Sequence, residues 1–175
     1  MSAATRIIAC EGLGATTAAI ANEAGVSNGS LFTYFETKTE LFNQLYLELK
    51  TEIAAASFEG LPEQDDLRKR SFLVWSNWMG WATAYPEKRR ALAQLAVSDE
   101  ITATTREAAQ QTMSGIAELM EQLRANGAMR NVPMDFVGSI MNSIAEATMD
   151  FMIHDKANAA KHCKVGFDAF WRAIG

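Results

Sequence analysis

Apolar residues recur along most of the chain at intervals of three and four positions, which is the spacing of one face of an α-helix. No convincing alternation of apolar and polar residues, the pattern of a half-buried strand, separates these segments. The two C-terminal segments keep the helical spacing over many residues: Val137, Ile140, Met141, Ile144, Thr148, Phe151 and Met152, followed by Cys163, Phe167, Phe170, Trp171 and Ile174. The pattern predicts an all-α fold of about nine helices.

Caps and breaks set the predicted limits of these helices. Thr37 and Glu40 have the spacing of a capping box, in which each side chain accepts a hydrogen bond from the other residue's backbone amide. Ser98 is the predicted cap of a helix that continues to about Ala125 and stops at Asn126. The other predicted helices are one ending near Gly12, then Thr17 to Ala24, Asn28 to Phe35, Thr39 toward Ala56, Glu63 to Tyr85, Pro86 to Val97, and two segments after Pro133.

The segment from Thr16 to Phe35 predicts two short helices separated by a tight turn. Thr16 is a suitable N-cap for the first helix and Ser27 for the second, because a hydroxyl group can accept from a free amide of the first turn. Gly25 can adopt the left-handed backbone that ends a helix. Two helices joined by such a turn form a helix-turn-helix, whose second helix is presented to the major groove of DNA.

Apolar residues on the inner side are expected to hold this unit together. Leu31 and Phe35 are four residues apart and share one helix face, to which we expect Phe32 to contribute. Ile20 is the corresponding inward residue of the preceding helix, and Val26 is expected to fill the turn. The polar residues between them remain for the outer face.

The same segment resembles a known family of DNA-binding proteins. The matching residues are Ile20-Ala21, Ala24-Gly25-Val26-Ser27, Gly29-Ser30-Leu31-Phe32-Thr33-Tyr34-Phe35 and Lys38-Thr39-Glu40-Leu41. They are similar to the DNA-binding domain of the TetR family of transcriptional regulators. The resemblance implies a helix-turn-helix domain over residues 1–47 and a helical domain over residues 48–175 that binds a small molecule and dimerises through its last two helices. Segments 45–50, 94–98 and 148–151 are similar to multidrug-responsive repressors of that family.

Carried over to this chain, the resemblance implies that a set of small polar residues faces a double-stranded DNA operator. These residues are Thr16, Ser27, Asn28, Gly29, Ser30, Thr33, Tyr34 and Lys38. An asparagine can read an adenine edge through two hydrogen bonds, a glycine permits close approach of the backbone, and hydroxyl groups reach bases or phosphates. Thr16 and Lys38 stand at helix starts, where phosphate groups bind readily.

The net charge limits how strongly such a surface can hold DNA. The protein has 175 residues, 49% of them hydrophobic, and a formal net charge of −5, which argues against binding through bulk electrostatics. The first 50 residues contain Arg6, Lys38 and Lys50 against five glutamates, a net charge of −2. Each neutralised phosphate adds about −0.9 to the logarithmic salt gradient, so we expect a shallow salt dependence and weak non-specific binding.

An aromatic and methionine-rich set of residues predicts an effector site in the C-terminal domain, because flexible thioethers beside flat rings suit a pocket of loose specificity. The resemblance implies as lining residues Tyr46, Ser71, Trp75, Trp78, Met120 and Met141. Glu146 or Asp150 could attract a cation, which would favour small hydrophobic or cationic aromatic effectors. For each lining residue alone the alternative is ordinary core packing, since apolar helical spacing is first a packing signal.

The last two helices carry apolar residues on more than one side, which predicts that a second copy of the chain covers part of this surface. The predicted interface residues are Ile153, Phe167, Phe170 and Trp171. A two-fold four-helix bundle would bury them in both subunits. It would also set the second helices of the two helix-turn-helix units, one from each subunit, about 34 Å apart or more, as a palindromic operator requires.

Other functions have little support in the sequence. Glu146, Asp150 and His154 share a helix face, but a di-metal bundle needs Glu-x-x-His from two helices, so neither a metal nor another cofactor is expected. No phosphate-binding loop or nucleophile elbow appears, so we do not expect an enzyme. Two distant cysteines, no signal peptide and no uninterrupted apolar segment of membrane length predict a cytoplasmic protein. The alternative to a regulator is a helical carrier of hydrophobic compounds that does not bind DNA.

Overall fold

The computed structural model describes residues 1–62, 66–125 and 127–174. These residues form ten α-helices and two short 3-10 helices, and no strand occurs among them, which confirms the all-α prediction. The α-helices are α1 (Ser2–Glu11), α2 (Thr17–Glu23), α3 (Asn28–Leu31), α4 (Lys38–Phe58), α5 (Leu67–Ala84), α6 (Pro86–Ala96), α7 (Ala103–Thr112), α8 (Ser114–Arg124), α9 (Met134–His154) and α10 (Ala159–Ile174). The predicted helix start at Glu63 and stop at Asn126 lie outside the described residues. No helix in the described ranges has the length and apolar character needed to cross a membrane.

The described chain has one helix more than the sequence predicts, because the helix expected over residues 100–125 is broken at Met113. The amide of Met113 donates to the carbonyl oxygens of Ala109 at 3.2 Å and Gln110 at 3.1 Å, a shared bond of the kind found at helix ends, and α7 ends at Thr112. α8 begins at the next residue, and a Cβ atom added to Gly115 would lie 2.9 Å from Cζ of Phe58. The missing side chain therefore lets α8 approach the Phe58 ring.

The start of α7 also differs from the prediction. The hydroxyl of Ser98 accepts from the amide of Glu100 at 3.2 Å in the preceding connection, so Ser98 does not cap a helix. The N-cap is Thr102, whose hydroxyl accepts from the amide of Thr105 at 3.2 Å. The capping chemistry is the predicted one, and its position is later because the buried Ile101 holds the connection in the core.

The chain divides into two compact units, and α4 contributes residues to both. The first unit contains Met1–Glu52 and Tyr85–Met113, and the second contains Ile53–Ala84 and the chain from Ser114 onward. The division at residue 47 stays a prediction, because it concerns the binding of DNA and effector rather than packing.

An apolar core in the first unit supports the N-terminal helices. α1 packs against α2 and α6, and α2 packs against α3. Their buried residues and those of the N-terminal part of α4 belong to one cluster, which includes Ile8, Ile20, Leu31, Leu41, Phe42, Leu45, Leu49 and Leu95. The short α3 is therefore fixed to the same core as the N-terminal part of the long α4.

In the second unit, α9 and α10 pack against each other and against α5. The Trp75 ring stacks on Phe170, with ring centroids 5.5 Å apart and an interplanar angle of 13°. Its indole N–H donates to the carbonyl oxygen of Cys163 at 3.1 Å. Trp75 thus satisfies its polar group inside the core, as a buried indole requires.

Two residues of the predicted dimer interface are already packed within the protomer. Phe167 is 2% exposed and Phe170 is 4% exposed within a single chain, so both are core residues, and their contact with a second copy stays a prediction. Ile153 and Trp171 are half-buried. The apolar residues of α10 are largely used inside the protomer because α5 supplies aromatic partners for them.

The contact between α9 and α10 depends on the absence of a side chain at Gly166. A Cβ atom there would lie 2.1 Å from Oγ1 and 3.0 Å from Cβ of Thr148. The Thr148 hydroxyl donates to the carbonyl oxygen of Ile144 at 2.7 Å, which holds its side chain in place. A methyl group at position 166 therefore needs a displacement of one helix.

We expect Gly166→Ala to lower the free energy of unfolding by about 1–3 kcal/mol, the usual cost of overpacking, in urea denaturation. Gly80→Ala is the matched control in α5, where an added Cβ meets no atom within 4 Å. It should raise the free energy of unfolding by about 0.5–1 kcal/mol, because alanine favours the helix.

Adding Thr148→Ala to the Gly166→Ala variant removes the hydroxyl and methyl groups that the new Cβ would meet. The second substitution should recover part of the lost stability. Additive losses in the double variant would contradict a steric contact between these two residues.

Candidate functional site

The two helices of the predicted helix-turn-helix begin at the predicted caps. The hydroxyl of Thr16 accepts from the amide of Ala19 at 3.0 Å, and the hydroxyl of Ser27 accepts from the amide of Ser30 at 3.0 Å. Both capping residues have extended backbone, as an N-cap requires. The sequence therefore fixes the starts of α2 and α3 through local hydrogen bonds.

The turn between them is a Schellman motif centred on Gly25, which has a φ of 69°. The amide of Gly25 donates to the carbonyl of Asn22, and the amide of Val26 donates to the carbonyl of Ala21, each at 3.0 Å. The predicted left-handed glycine is confirmed. The prediction that Val26 fills the turn is wrong, because its side chain is exposed and the backbone bonds alone close the turn.

α3 is shorter than predicted and ends at Leu31. The chain continues to Phe35 in turns, with amides of Thr33 and Tyr34 donating to carbonyls three residues back at 3.2 and 3.1 Å. Leu31 is buried, and Phe35 packs against the same core. Phe32 is exposed, so the expectation that it would join them is wrong. A helix of four residues has room for only one inward apolar position.

The outer side of this segment is polar and open. Asn28, Gly29, Thr33 and Tyr34 are exposed, and Tyr34 is 77% exposed. The side chains of Asn28 and Tyr34 make no hydrogen bond to any residue in the described ranges. We call residues Asn28 to Tyr34 the reading segment. Its asparagine amide and tyrosine hydroxyl are free to bind an external partner.

The two small hydroxyl groups of the reading segment are partly occupied. The hydroxyl groups of Ser27 and Ser30 lie 2.8 Å apart in a hydrogen bond, and Thr33 donates to the carbonyl oxygen of Ser30 at 2.7 Å. Thr33 still has its hydroxyl oxygen as an acceptor and its methyl group exposed. These bonds hold the side chains in fixed positions on the surface.

The start of α4 fixes the end of the reading segment. The hydroxyl of Thr37 accepts from the amide of Glu40 at 3.0 Å, which is the predicted half of the capping box. The Glu40 carboxylate accepts from the amide of Glu36 at 2.6 Å, one residue earlier than predicted. The chain leaving the segment is therefore tied to the first turn of α4.

The positive charges of the first unit are mostly used inside the protein. The ammonium group of Lys38 donates to the carbonyl oxygen of Leu13 at 2.9 Å and lies 4.9 Å from the centre of the Phe42 ring. Arg6 forms an ion pair with Glu23 at 2.5 Å. A phosphate contact by Lys38 would have to replace or share its bond to Leu13. This agrees with the small number of phosphate ion pairs that the sequence allows.

The predicted effector residues fall in both units. Tyr46 belongs to the core of the first unit, where burial raises its pKa although Arg106 opposes the shift. Ser71, Trp75 and Met120 are buried in the second unit, while Trp78 and Met141 are half-buried there. The structure brings together the rings of Trp75 and Trp78, with centroids 5.9 Å apart in an edge-to-face arrangement. Their binding of an effector stays a prediction.

The polar residues that the sequence predicts at the effector site have other positions or partners than expected. Ser71 donates to the carbonyl oxygen of Leu67 at 2.6 Å, so its hydroxyl is engaged within α5. Glu146 and Asp150 are exposed residues of α9 rather than residues of an interior wall. The charged residue that sequence reasoning missed is Arg70, and the only signal for it is the basic run from Arg68 to Arg70 at the start of α5.

The metal site considered for Glu146, Asp150 and His154 gains no support. The imidazole Nδ1 of His154 lies 2.7 Å from the carbonyl oxygen of Asp150. Within residues 1–62, 66–125 and 127–174, no group of three His, Cys, Asp or Glu side chains is arranged to hold a metal ion.

Comparison with known proteins agrees with this geometry. Residues 1–45 match the family model described as bacterial regulatory proteins, tetR family. The whole chain is similar to a protein assigned to the tetR family of transcription regulators from Shewanella sp. PV-4, with 28% identity, 99% of this chain and 94% of that chain covered, and a TM-score of 0.86. Residues 1–45 are thus similar to the DNA-binding part of TetR regulators, and the whole chain is similar to a protein described as a transcription regulator of that family.

More distant structures share the fold. A TetR family transcription regulator from Marinobacter aquaeolei VT8 has 20% identity and a TM-score of 0.85, with 99% of this chain and 92% of that chain covered. The transcriptional regulator FadR from Bacillus subtilis, in complex with stearoyl-CoA, has 14% identity and a TM-score of 0.71, with 99% and 97% covered.

The turn geometry predicts different tolerances at two neighbouring glycines. Gly25→Ala should lower the free energy of unfolding by about 1–2 kcal/mol in urea denaturation, because a left-handed backbone is strained for alanine. Gly29→Ala should not lower it, since an added Cβ meets only the Ser27 hydroxyl, at 3.8 Å. Equal stability of both variants would contradict the Schellman turn.

Proposed function

We propose that the protein is a ligand-responsive transcriptional repressor that binds a palindromic DNA operator as a homodimer. The observation that carries the proposal is the exposed reading segment, which is braced by Leu31 from below and by Ser27 and Glu40 at its two ends. A rigid polar surface of this size suits the major groove. The match of residues 1–45 to the tetR family supports the same use of the segment.

In this proposal the operator is read by short polar side chains. Asn28 accepts and donates to an adenine edge, Thr33 contacts a thymine methyl group or a base acceptor, and Gly29 allows the backbone to come close. The hydroxyl of Tyr34 and the capped starts of α2 and α3 bind phosphates. Specificity then rests on fit at base edges, because Lys38 and Arg6 already have partners within the protein.

The surface for a second copy is proposed on the exposed side of α9 and α10. Large apolar side chains remain exposed there, among them Phe136, Phe151 and Val165. Val165 is 58% exposed. These residues take the place of Phe167 and Phe170, which the core already uses. Two-fold pairing of this surface would present two reading segments to two operator half-sites.

The effector is proposed to act by changing the spacing of the two reading segments. α4 carries residues of the first unit up to Glu52 and of the second unit from Ile53, so one continuous helix joins the DNA-binding residues to the proposed effector domain. A small hydrophobic molecule bound near Trp78 and Met141 releases DNA only to the extent that it binds more tightly to the protein in the spacing that does not fit the operator. This part of the proposal follows the resemblance of segments 45–50, 94–98 and 148–151 to the multidrug-responsive repressor RamR.

Selection of bound sequences from random DNA duplexes tests the proposal as a whole. A recovered palindrome with two half-sites is the expected result. Recovery of no sequence above background at low salt would contradict it and would favour the carrier of hydrophobic compounds.

With the selected operator, Thr33→Glu should weaken binding by at least about 10-fold in a fluorescence anisotropy titration, because it removes a base contact and brings a negative charge to the duplex. Its free energy of unfolding should stay within about 0.5 kcal/mol of the wild type, since Thr33 is exposed.

Thr104→Glu is the matched control, because it makes the same change at an exposed position of α7 in the same unit. It should leave operator affinity within about 2-fold, the range of an uninvolved surface site. Equal loss of affinity in both variants would mean that general charge, rather than the reading segment, governs binding.

Dimerisation is tested by Val165→Glu, which places a charge on the proposed apolar surface. We expect the variant to sediment as a monomer at concentrations where the wild type is a dimer, because an unpaired buried charge opposes association. Val97→Glu makes the same change at a valine of the first unit that is 77% exposed, and it should remain a dimer. A dimeric Val165→Glu protein would remove α10 from the proposed interface.

A further inference from the structure

Three consecutive basic residues, Arg68, Lys69 and Arg70, follow Leu67 in the first turn of α5. The N-terminal turn of a helix is its positive end, so cations there are unfavourable for the helix itself. Asp66 partly offsets this, because its carboxylate accepts from the backbone amide of Arg68 at 2.9 Å. Three cations at this position therefore need a reason other than helix stability.

For Arg68, contacts within the protein explain the presence of a cation. Its guanidinium group donates to the carboxylate of Asp168 at 2.8 Å and lies 5.5 Å from the centre of the Trp171 ring. The same carboxylate also accepts from Lys164 at 2.7 Å. Arg68 thus joins α5 to α10 on the surface of the second unit.

Arg70 is different, because its Nε atom is buried and has no hydrogen-bond partner. It is the one buried side-chain nitrogen or oxygen atom without a partner among the described residues. No ion pair joins the Arg70 guanidinium to a described carboxylate either. A buried donor without an acceptor costs free energy, and natural structures keep few of them.

The position of Arg70 on α5 explains the burial. Val74 and Trp81 follow it by four and eleven residues, which places all three on one face of the helix. Both are 6% exposed. Asn77, on the same face, donates to the carbonyl oxygens of Ser57 at 3.2 Å and Glu59 at 2.9 Å. The Arg70 side chain therefore starts from an apolar, inward face of the second unit.

From this geometry we propose that Arg70 binds the anionic head group of the effector, and that the effector is an amphiphile with an apolar body. The planar guanidinium group matches a carboxylate or phosphate through two parallel hydrogen bonds, and such a ligand would supply the acceptor that Nε lacks. The apolar body lies toward Trp78, which is eight residues, or about 12 Å along the axis, farther on in α5. This inference rests on the proposed function of the second unit as an effector domain.

The sign of the charge is the opposite of the cationic alternative suggested by the sequence. Glu146 and Asp150 are exposed and would interact with a cation in water, where the interaction is weak. Arg70 meets its ligand where part of the guanidinium is already removed from water, so the interaction is stronger. An anion is therefore the better complement to this unit.

The test compares two probes with the same tail and opposite charge. Binding of dodecanoate and of dodecyltrimethylammonium, each below its micellar concentration, is measured by titration calorimetry and by tryptophan fluorescence. We expect saturable binding of dodecanoate and at least 10-fold weaker binding of the cation, the ratio that one charge-assisted hydrogen bond gives. A dodecyl phosphate titration then distinguishes a carboxylate site from a phosphate site. Tighter binding of the cation, or no saturable binding of either anion, overturns the inference.

Arg70→Gln keeps a polar side chain and removes the charge. It should weaken dodecanoate binding by about 10-fold or more and leave the cation unaffected, since a hydrogen bond to a charged group is lost. Arg68→Gln is the matched control, because it removes the neighbouring arginine that already pairs with Asp168. It should change dodecanoate binding by less than about 2-fold, as expected for an exposed ion pair. Equal effects of the two variants, or unchanged binding by Arg70→Gln, would exclude Arg70 as the anion site.

Two further measurements distinguish anion binding by Arg70 from a purely structural role of this residue and from the proposed binding of an operator. If Arg70 has a purely structural role, Arg70→Gln lowers the melting temperature without changing dodecanoate affinity, and the inference is overturned. If it binds an effector, the ligand-free variant melts no lower than the wild type, because Nε of Arg70 makes no hydrogen bond that the substitution could remove. Operator affinity of the ligand-free variant reports on the proposed regulator separately, so DNA binding can persist when the anion site is disproved.

Discussion

The reading segment depends on burial of Leu31, because a four-residue helix cannot be stable alone in water. Leu31 fixes one side of the segment to the core, Gly25 sets its direction of entry, and the Glu40 carboxylate holds its exit through the amide of Glu36. Each support acts on the backbone or the inner side. The outer side chains of Asn28 and Tyr34 consequently support no other described part of the protein, which leaves them available to a partner.

Features with causes inside a few residues could be predicted from the sequence. The caps at Thr16 and Ser27 and the left-handed Gly25 each need only their own turn of chain, and the structure has all three. The overall class follows as well, since helical periodicity is a sum over many residues. The hydroxyl bond of the capping box at Thr37 is correct for the same reason, whereas the Glu40 carboxylate accepts from the amide of Glu36 instead of the predicted amide of Thr37.

Features that depend on a distant partner could not be predicted. The Phe58 ring lies against Gly115 at the start of α8, and no pattern near residue 113 shows this contact. Phe167 and Phe170 have the spacing of an exposed apolar stripe, and only the presence of Trp75 opposite them makes them core. Periodicity identifies which residues are apolar on one face. It does not say whether that face meets the same chain or a second copy.

The sequence likewise does not show which charged side chains have partners inside the protein. Such partners determine which cations of this chain can bind an external anion. Lys38 stands where a phosphate contact is expected, yet a carbonyl oxygen of its own unit already accepts from it. Arg70 stands in an unremarkable basic run, yet its buried Nε has no acceptor. A cation with an internal partner gains little from an external anion, because one interaction replaces another. A partly desolvated cation without a partner gains the whole interaction, so the free energy available for ligand binding lies with Arg70 rather than with the more exposed charges.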